Sequence, residues 1–209
     1  MKITNIKQQL NRADRLSVFI DGKYGFSLGE SALLESKLVV GQEVDEAKLA
    51  EFKQLSADDT LYERAQRYAA GRPHSKWEMA GYLQRKGASP ALTETILNKL
   101  RDINLLDDKK FVEAYVADRQ RLRPTSRRKI IFELHAKHVP DDIVQAVLDS
   151  EENEDREVSS EQAALRDIIE RKRRQTRYQD DLKLMQYLTH QGFGYGDVKA
   201  ALRREADDN

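Results

Sequence analysis

The chain contains no cysteine, which excludes a disulfide framework, a thiolate nucleophile and any cysteine-based zinc or iron–sulfur site. No apolar run approaches the roughly 18–20 residues that a membrane-spanning helix requires. The first residues, MKITNIKQQLN, lack the apolar stretch of a secretory signal. From these absences we expect a soluble cytoplasmic protein.

Net charge is also absent, because 36 Lys and Arg residues balance 36 Asp and Glu residues. The two signs are nevertheless segregated along the chain, and two runs contain basic residues without any acidic one. The basic side chains of the first run are Arg119, Arg121, Arg123, Arg127, Arg128 and Lys129, and those of the second are Arg171, Lys172, Arg173, Arg174 and Arg177. Local patches of this kind control association with charged partners, whereas net charge says little about it.

One sequence pattern occurs three times. RPHSKWEMAGYL at 72–83 is followed 51 residues later by RPTSRRKIIFEL at 123–134, and after 54 more by RYQDDLKLMQYL at 177–188. Self-similarity at a nearly fixed period predicts one small supersecondary unit that stacks on itself. Such arrays usually present an extended surface to a long partner.

The pattern of caps and apolar residues divides each repeat into three helices. Ser75 and Ser126 are predicted to cap the second helices of the first two repeats, and Gly87 is predicted to end one of them. We therefore expect a mainly α protein with three tandem three-helix repeats. The expected ranges are 58–106 for the first repeat, 107–150 for the second, 151–158 for an acidic linker and 159–209 for the third.

Residues 1–57 differ from the repeats and predict a small α+β cap. Asp21-Gly22 stands between two runs rich in β-branched and aromatic residues, which is typical of a β-hairpin with a type I′ turn. Residues 3–6 are a candidate third strand, and short helices are expected at 31–37 and 45–55. Polar residues at 56–60 predict a new helix start, and Gly71 predicts its left-handed end.

Several segments together resemble the RecX family, regulators of the bacterial RecA recombinase. They are KLRDINLLDDKKFVEAYVADRQRLRP at 99–124, the turns at 83–87 and 134–138, and YLTHQGFGYGDVKAAL at 187–202. The resemblance covers about 61–205, and its most specific part is LLDD at 105–108. It implies a curved, elongated array that lies in the groove of a RecA–single-stranded-DNA filament and inhibits ATP hydrolysis and strand exchange. It also implies no enzymatic activity and no cofactor.

The chain departs from the family pattern at two turns. His138 stands where a glycine is usual, and a left-handed residue other than glycine costs roughly 1 kcal/mol. His190-Gln191 replaces what is usually a more basic pair.

Both basic runs have a functional and a structural interpretation. The first predicts a basic ridge that meets phosphates or the acidic rim of a protein filament. It is also typical of solvated helix ends, because cations favour the last turn of a helix. The second run permits the same functional interpretation, or intramolecular pairing with the acidic residues at 151–157.

No catalytic or metal-binding pattern emerges from the residues. The four histidines lack an H-E-x-x-H motif, and no nucleophile–base pair or phosphate loop can be assembled. The prediction is a non-enzymatic RecA regulator without metal or cofactor, with single- or double-stranded DNA as a further candidate partner. The alternatives are a helical DNA-binding protein that acts without RecA, and a scaffold for another protein. A monomer is the simplest expectation.

Overall fold

The structure is a computed structural model that describes residues 1–122, 125–152 and 160–207. Within these ranges it contains three β-strands and ten α-helices. The strands are β1 (Ile3–Gln9), β2 (Arg12–Ile20) and β3 (Lys23–Gly29). The helices are α1 (Glu30–Ser36), α2 (Glu46–Gly71), α3 (Lys76–Arg85), α4 (Pro90–Asp102), α5 (Asp108–Leu122), α6 (Arg127–His135), α7 (Asp141–Glu152), α8 (Ser160–Arg173), α9 (Asp181–His190) and α10 (Tyr195–Asp207).

The chain divides into two compact units. The first unit comprises Met1–Arg72 and Met79–Leu105, and the second comprises Pro73–Glu78 and Leu106–Asn209. The predicted fold class is confirmed, because helices dominate and the small sheet is confined to the N-terminal part. In the part of the chain that the structure describes, no helix is long and apolar enough to span a membrane.

The N-terminal sheet is antiparallel with the order β1-β2-β3. The predicted turn joins β2 to β3, and Asp21 and Gly22 have φ values of 48° and 80°, as a type I′ turn requires. The candidate third strand is present as β1. Its Ile3 pairs with Ile20 of β2 and is fully buried in the core of the first unit.

The prediction that a new helix starts at 56–60 is wrong, because α2 runs without a break from Glu46 to Gly71. The left-handed end predicted at Gly71 is also wrong. Gly71 is the last helical residue, and the chain leaves α2 through Arg72 in an extended conformation, with φ −164°. Residues that resembled a helix start therefore lie in the middle of a long helix.

Contacts with the sheet explain why polar residues occupy the middle of α2. The Asp59 carboxylate accepts a hydrogen bond of 2.8 Å from the backbone N of Gly29. Arg15 of β2 is buried, and its guanidinium forms ion pairs with Asp59 at 3.3 Å and Glu63 at 2.6 Å. A buried arginine requires carboxylate partners of this kind. The acidic residues of α2 thus hold the sheet and do not cap a helix.

The caps predicted for the second helices of the first two repeats are present, and Asp180 caps that of the third. The side chains of Ser75, Ser126 and Asp180 each accept a hydrogen bond from the backbone N three residues later, at 3.1, 3.2 and 3.0 Å. Such caps satisfy amides that the helix itself leaves unpaired. Gly87 and Gly192, which follow α3 and α9, have φ values of 86° and 90° and end these helices in the left-handed region.

Two separate apolar clusters form the core of the second unit. Each is built by one set of three consecutive helices, which agrees with the three-helix organisation predicted for the repeats. The first cluster contains Phe111, Val112, Val116, Ile130, Leu134, Val139, Val144, Val147 and Leu148. The second contains Ala164, Leu165, Ile168, Ile169, Leu184, Leu188, Phe193, Val198 and Leu202.

Two serine caps also contact the turn that follows the next repeat's second helix. The Ser75 hydroxyl donates to the carbonyl of Lys137 at 3.4 Å, which we call the first joint. The Ser126 hydroxyl donates to the carbonyl of Gln191 at 2.9 Å, which we call the second joint. Both serines are buried. Each hydroxyl therefore satisfies one helix amide and one turn carbonyl at once.

The turn at the first joint keeps its left-handed backbone without glycine. His138 has φ 52°, and its ring stacks on that of Trp77 with the centroids 5.1 Å apart. This stacking offsets part of the cost of a left-handed histidine.

Candidate functional site

The first basic run lies on the end of α5 and the first turn of α6, both in the second unit. Arg123 lies outside the described residues. The other five members differ in what they contact. Some are arginines that hold helices together through ion pairs, and the others are cations whose charge can meet a partner.

Arg119 belongs to an internal network between α5 and α6. Its guanidinium donates to Glu133 at 2.8 Å and to the hydroxyl of Tyr115 at 2.7 Å, and it lies 4.8 Å from the centre of the Tyr115 ring. The Tyr115 hydroxyl in turn donates to Glu133 at 2.6 Å. A guanidinium with these partners fixes the relative position of two helices.

The network has a definite protonation state. Burial, together with the hydrogen bond to Glu133, raises the pKa of Tyr115 to about 12. Burial would also raise the pKa of Glu133, but hydrogen bonds from Tyr115 and Arg119 and the charge of Arg119 outweigh it, so this pKa is lowered. Near neutral pH, Glu133 is therefore ionised and its charge is matched by that of Arg119.

Arg127 contacts α7. Its guanidinium donates to the side-chain oxygen of Gln145 at 3.0 Å and to the carboxylate of Asp149. Only 22% of the Arg127 side chain is exposed. Arg127 therefore holds α6 against α7.

No strong ion pair compensates the charge of three cations of the first run among the described residues. The side chain of Arg128 is exposed and forms no hydrogen bond or ion pair within the described ranges. Arg121 is exposed and lies 3.7 Å from Asp118, a distance at which a surface pair contributes little. Lys129 donates to the side-chain oxygen of Gln191 at 2.6 Å, and a neutral amide does not cancel the charge of an ammonium group.

The second basic run lies at the end of α8 and in the segment before α9. Arg171 pairs with Asp167, and Arg174 pairs with Glu170 at 2.8 Å, both one helical turn apart. These pairs are at least 40% exposed and are therefore weak. The predicted alternative, pairing with residues 151–157, involves side chains outside the described residues.

Arg173 is the structural arginine of the second run. It contacts Glu205 of α10 at 2.9 Å and Asp181 of α9, and donates to the backbone carbonyls of Tyr178 and Gln179 at 3.2 and 2.9 Å. Its side chain is 23% exposed. Arg173 therefore joins α8 to the two helices that follow.

Lys172 contacts aromatic rings. Its ammonium nitrogen lies 4.5 Å from the centre of the Tyr187 ring and 5.0 Å from that of Tyr178. Arg177 is exposed, and its guanidinium lies 5.7 Å from the centre of the Tyr178 ring. A ring face favours a cation but carries no net charge, so both residues keep theirs.

The structure brings members of both runs together around one concave surface of the second unit, which we call the basic cleft. Its volume is about 420 Å³. Its lining contains four basic residues and one acidic residue, Glu133. The basic residues are Arg119, Lys129, Arg171 and Lys172. Arg128 and Arg177 are not among the residues that line the cleft.

Residues that were not predicted as site residues complete the basic cleft. Gln191 positions Lys129, and Tyr187 positions Lys172. Thr125 lines the cleft and is 9% exposed, and within the described ranges its hydroxyl has no hydrogen-bond partner. These roles depend on contacts between residues far apart in the chain, which spacing alone does not reveal. Among the described residues no group of three His, Asp or Glu side chains is arranged to hold a metal ion.

The fold defines a class of helical proteins made of three-helix domains behind an N-terminal domain, and family models identify that class. Residues 1–45 match the regulatory protein RecX N-terminal domain. Residues 62–100 and 107–148 match the first and second three-helix domains of RecX. The chain belongs to the RecX family of regulatory proteins.

Individual relatives support the same assignment. The chain is 32% identical over 143 residues to the regulatory protein RecX of Lactobacillus johnsonii, covering 68% of this chain and 52% of the relative. It is 26% identical to that of Bacillus licheniformis, covering 99% of this chain and 78% of the relative. A crystal structure of regulatory protein RecX has the same fold, with a TM-score of 0.77 and 24% identity over 97% of this chain and 98% of that one.

Proposed function

We propose that this protein regulates the RecA recombinase by binding in the groove of the RecA–single-stranded-DNA filament and reducing ATP hydrolysis and strand exchange. It acts by binding and not by catalysis. The observation that carries the proposal is the succession of three RecX domains along one chain. The RecA partner follows from the resemblance to that family.

The charges of the second unit support an electrostatic mechanism. Lys129, Arg171 and Lys172 of the basic cleft, together with the exposed Arg128 and Arg177, offer positive charge to phosphates or to carboxylates of the filament. Binding then biases the filament against its active state if this protein has the higher affinity for another state. In this scheme Arg119, Arg127 and Arg173 position helices and do not contact the partner.

The direct test is RecA-catalysed ATP hydrolysis on single-stranded DNA, measured with this protein at a sub-stoichiometric ratio to RecA. We expect the hydrolysis rate to fall. An unchanged rate at saturating protein would contradict the proposal.

A charge reversal at Arg128 tests the electrostatic contact. Reversing the charge of the neighbouring Arg127 as well would disturb the fold, because Arg127 holds α6 against α7. Arg128→Glu alone is therefore the cleaner change. We expect the concentration needed for half-inhibition to rise several-fold, since a buried or partly buried contact between opposite charges becomes repulsive. Arg203→Glu is the matched control, because Arg203 is also exposed but lies on α10, outside both basic runs. Equal potency of Arg128→Glu and wild type would remove Arg128 from the interface.

A helical DNA-binding protein that acts without RecA is the second candidate, and the concave basic cleft favours it. Binding to bare DNA would then fall steeply with salt, because cations on the protein displace counterions from the phosphates. DNA binding that depends steeply on salt, and that RecA neither strengthens nor weakens, supports this candidate over the first.

A further inference from the structure

The basic cleft has an excess of positive charge over the carboxylates that contact it in the described part of the chain. Its lining carries four cations and one carboxylate, Glu133, which pairs with Arg119. Asp167 pairs with Arg171, and Lys129 and Lys172 have no carboxylate partner among the described residues. The chain as a whole has no net charge. Concentrating like charges in a concavity raises the free energy of the unliganded state, so the arrangement favours an anion there.

Two lysines of the cleft are held by neutral groups. The Lys129 ammonium has the Gln191 amide oxygen at 2.6 Å, and the Lys172 ammonium lies over the rings of Tyr187 and Tyr178. Amide and ring restrict where each ammonium can be without neutralising it. Lysines fixed in this way lose little side-chain freedom when they bind an anion.

The strongest indication of a ligand is Thr125. Its side chain is buried in the wall of the cleft, and its hydroxyl has no hydrogen-bond partner among the residues that the structure describes. A buried hydroxyl without a partner costs roughly 1–3 kcal/mol. Rotation about χ1 moves the hydroxyl to another staggered position, from which it can donate a hydrogen bond to an acceptor bound in the cleft.

We propose that the basic cleft is a phosphate-binding site in which Lys129, Lys172 and the Thr125 hydroxyl donate to the phosphate oxygens. Arg119 and Arg171 line the same cleft, but each is paired with a carboxylate, Glu133 and Asp167 respectively. The inference rests on the proposed function in that it concerns the same surface, and it names the chemical group that this surface recognises. A cleft of about 420 Å³ accommodates a phosphate together with part of its nucleotide.

Phosphate can come from the backbone of a nucleic-acid strand or from a free nucleotide or inorganic phosphate. The first probe is therefore a fluorescent oligothymidine of roughly fifteen nucleotides, near the upper end of the site sizes of single-strand-binding modules, titrated with this protein alone. We expect the oligothymidine to bind, and we expect inorganic phosphate and ATP at high concentration to displace it. Competition by an acidic peptide but not by phosphate would overturn the inference, because the cleft would then recognise carboxylates.

The affinities of the strand, of ATP and of inorganic phosphate also separate the two sources of phosphate. A strand that binds much more tightly than ATP or inorganic phosphate identifies a backbone phosphate as the ligand. A mononucleotide that binds as tightly as the strand identifies a free nucleotide, and the phosphate site still stands. No binding of any phosphate-bearing probe at low salt would overturn the inference.

Thr125→Val is the sharpest variant, because valine has nearly the same shape as threonine but no hydroxyl. We expect oligothymidine affinity to fall about fivefold, as the loss of one net hydrogen bond predicts, while the melting temperature without ligand stays equal or rises. Thr125→Ser should restore the affinity. A lower melting temperature with unchanged affinity would make the hydroxyl structural and contradict its role in binding.

Lys172→Gln tests the charge of the site. We expect weaker oligothymidine binding and a smaller dependence of affinity on salt, by about one unit of slope. Arg203→Gln removes an exposed charge elsewhere and should change neither. Phosphate binding can fail while RecA ATP hydrolysis is still inhibited, which rejects the cleft assignment alone. If the phosphate probes bind but RecA is unaffected, the proposed function fails and the cleft assignment stands.

Discussion

The first and second joints of the second unit make the same contact with different turn residues. At each joint a buried serine caps one helix and donates to a turn carbonyl further along the chain, at 3.4 Å in the first and 2.9 Å in the second. The residue after that carbonyl is His138 in the first joint and Gly192 in the second, and both are left-handed. The backbone geometry is thus shared, and the side chain at this position depends on the space available.

That space differs greatly between the joints. A Cβ atom at Gly192 would lie 2.5 Å from the Ser126 hydroxyl oxygen, a distance that no real contact allows. At the first joint the imidazole of His138 instead lies against the ring of Trp77. A glycine is therefore required where the serine approaches closely, and it is replaceable where an aromatic residue offers a surface to pack on.

Gly192→Ala should have the largest effect on this comparison. The new Cβ collides with Ser126, and φ 90° is strained for any side chain, so we expect a loss of roughly 2–4 kcal/mol of unfolding free energy. Urea denaturation of the full chain measures it. Combining Gly192→Ala with Ser126→Ala removes the oxygen, and the double variant should lose less than the sum of the single losses. Strict additivity would show that the collision is not the cause.

Ser126→Ala and Ser75→Ala should have intermediate and unequal effects. Each removes a helix cap and leaves a turn carbonyl without its donor, which costs about 1–3 kcal/mol. We expect the larger loss at Ser126, because its bond to the carbonyl is shorter, 2.9 against 3.4 Å. The two melting temperatures, compared under identical conditions, check the order. A larger loss at Ser75 would mean that donor–acceptor distance does not govern the strength of these joints.

His138→Gly should have the smallest effect. Glycine relieves the left-handed strain of roughly 1 kcal/mol, but it also removes the ring contact with Trp77, worth about 0.5–1.5 kcal/mol. We expect the unfolding free energy to change by less than about 1 kcal/mol in either direction. Trp77→Ala is the informative partner, because it removes the contact and leaves the strain. If His138→Gly stabilises the protein as much in the wild type as in Trp77→Ala, the stacking contributes nothing.

Local signals in the sequence predicted the local structure well. The Asp21-Gly22 turn, the caps at Ser75 and Ser126 and the helix end at Gly87 each depend on a few neighbouring residues, and all are confirmed. The helix start predicted at 56–60 failed for the complementary reason. The side chain of Asp59 is a good cap, but here it binds Gly29 and Arg15 of the sheet, and no local pattern reveals partners so distant in the chain.

The basic runs show the same limit at the level of the candidate site. Both were predicted as continuous patches, whereas the structure divides each into positioning arginines and available cations. Arg119 and Arg173 were indistinguishable in sequence from Arg128, and only their contacts with Glu133 and Glu205 separate them. The basic cleft, which unites the two runs, arises from tertiary packing within the second unit and from residues such as Gln191 that carry no charge.

The uninterrupted course of α2 has a practical consequence for anyone who shortens this protein. A truncation that removes residues 1–57 would cut a 26-residue helix near its centre. It would also strip Asp59 and Glu63 of the arginine that they neutralise. Deleting residues up to Val44 instead would spare the helix and its Asp45 cap. Asp59 and Glu63 would still lose Arg15, and Phe52 would lose the ring of Phe26.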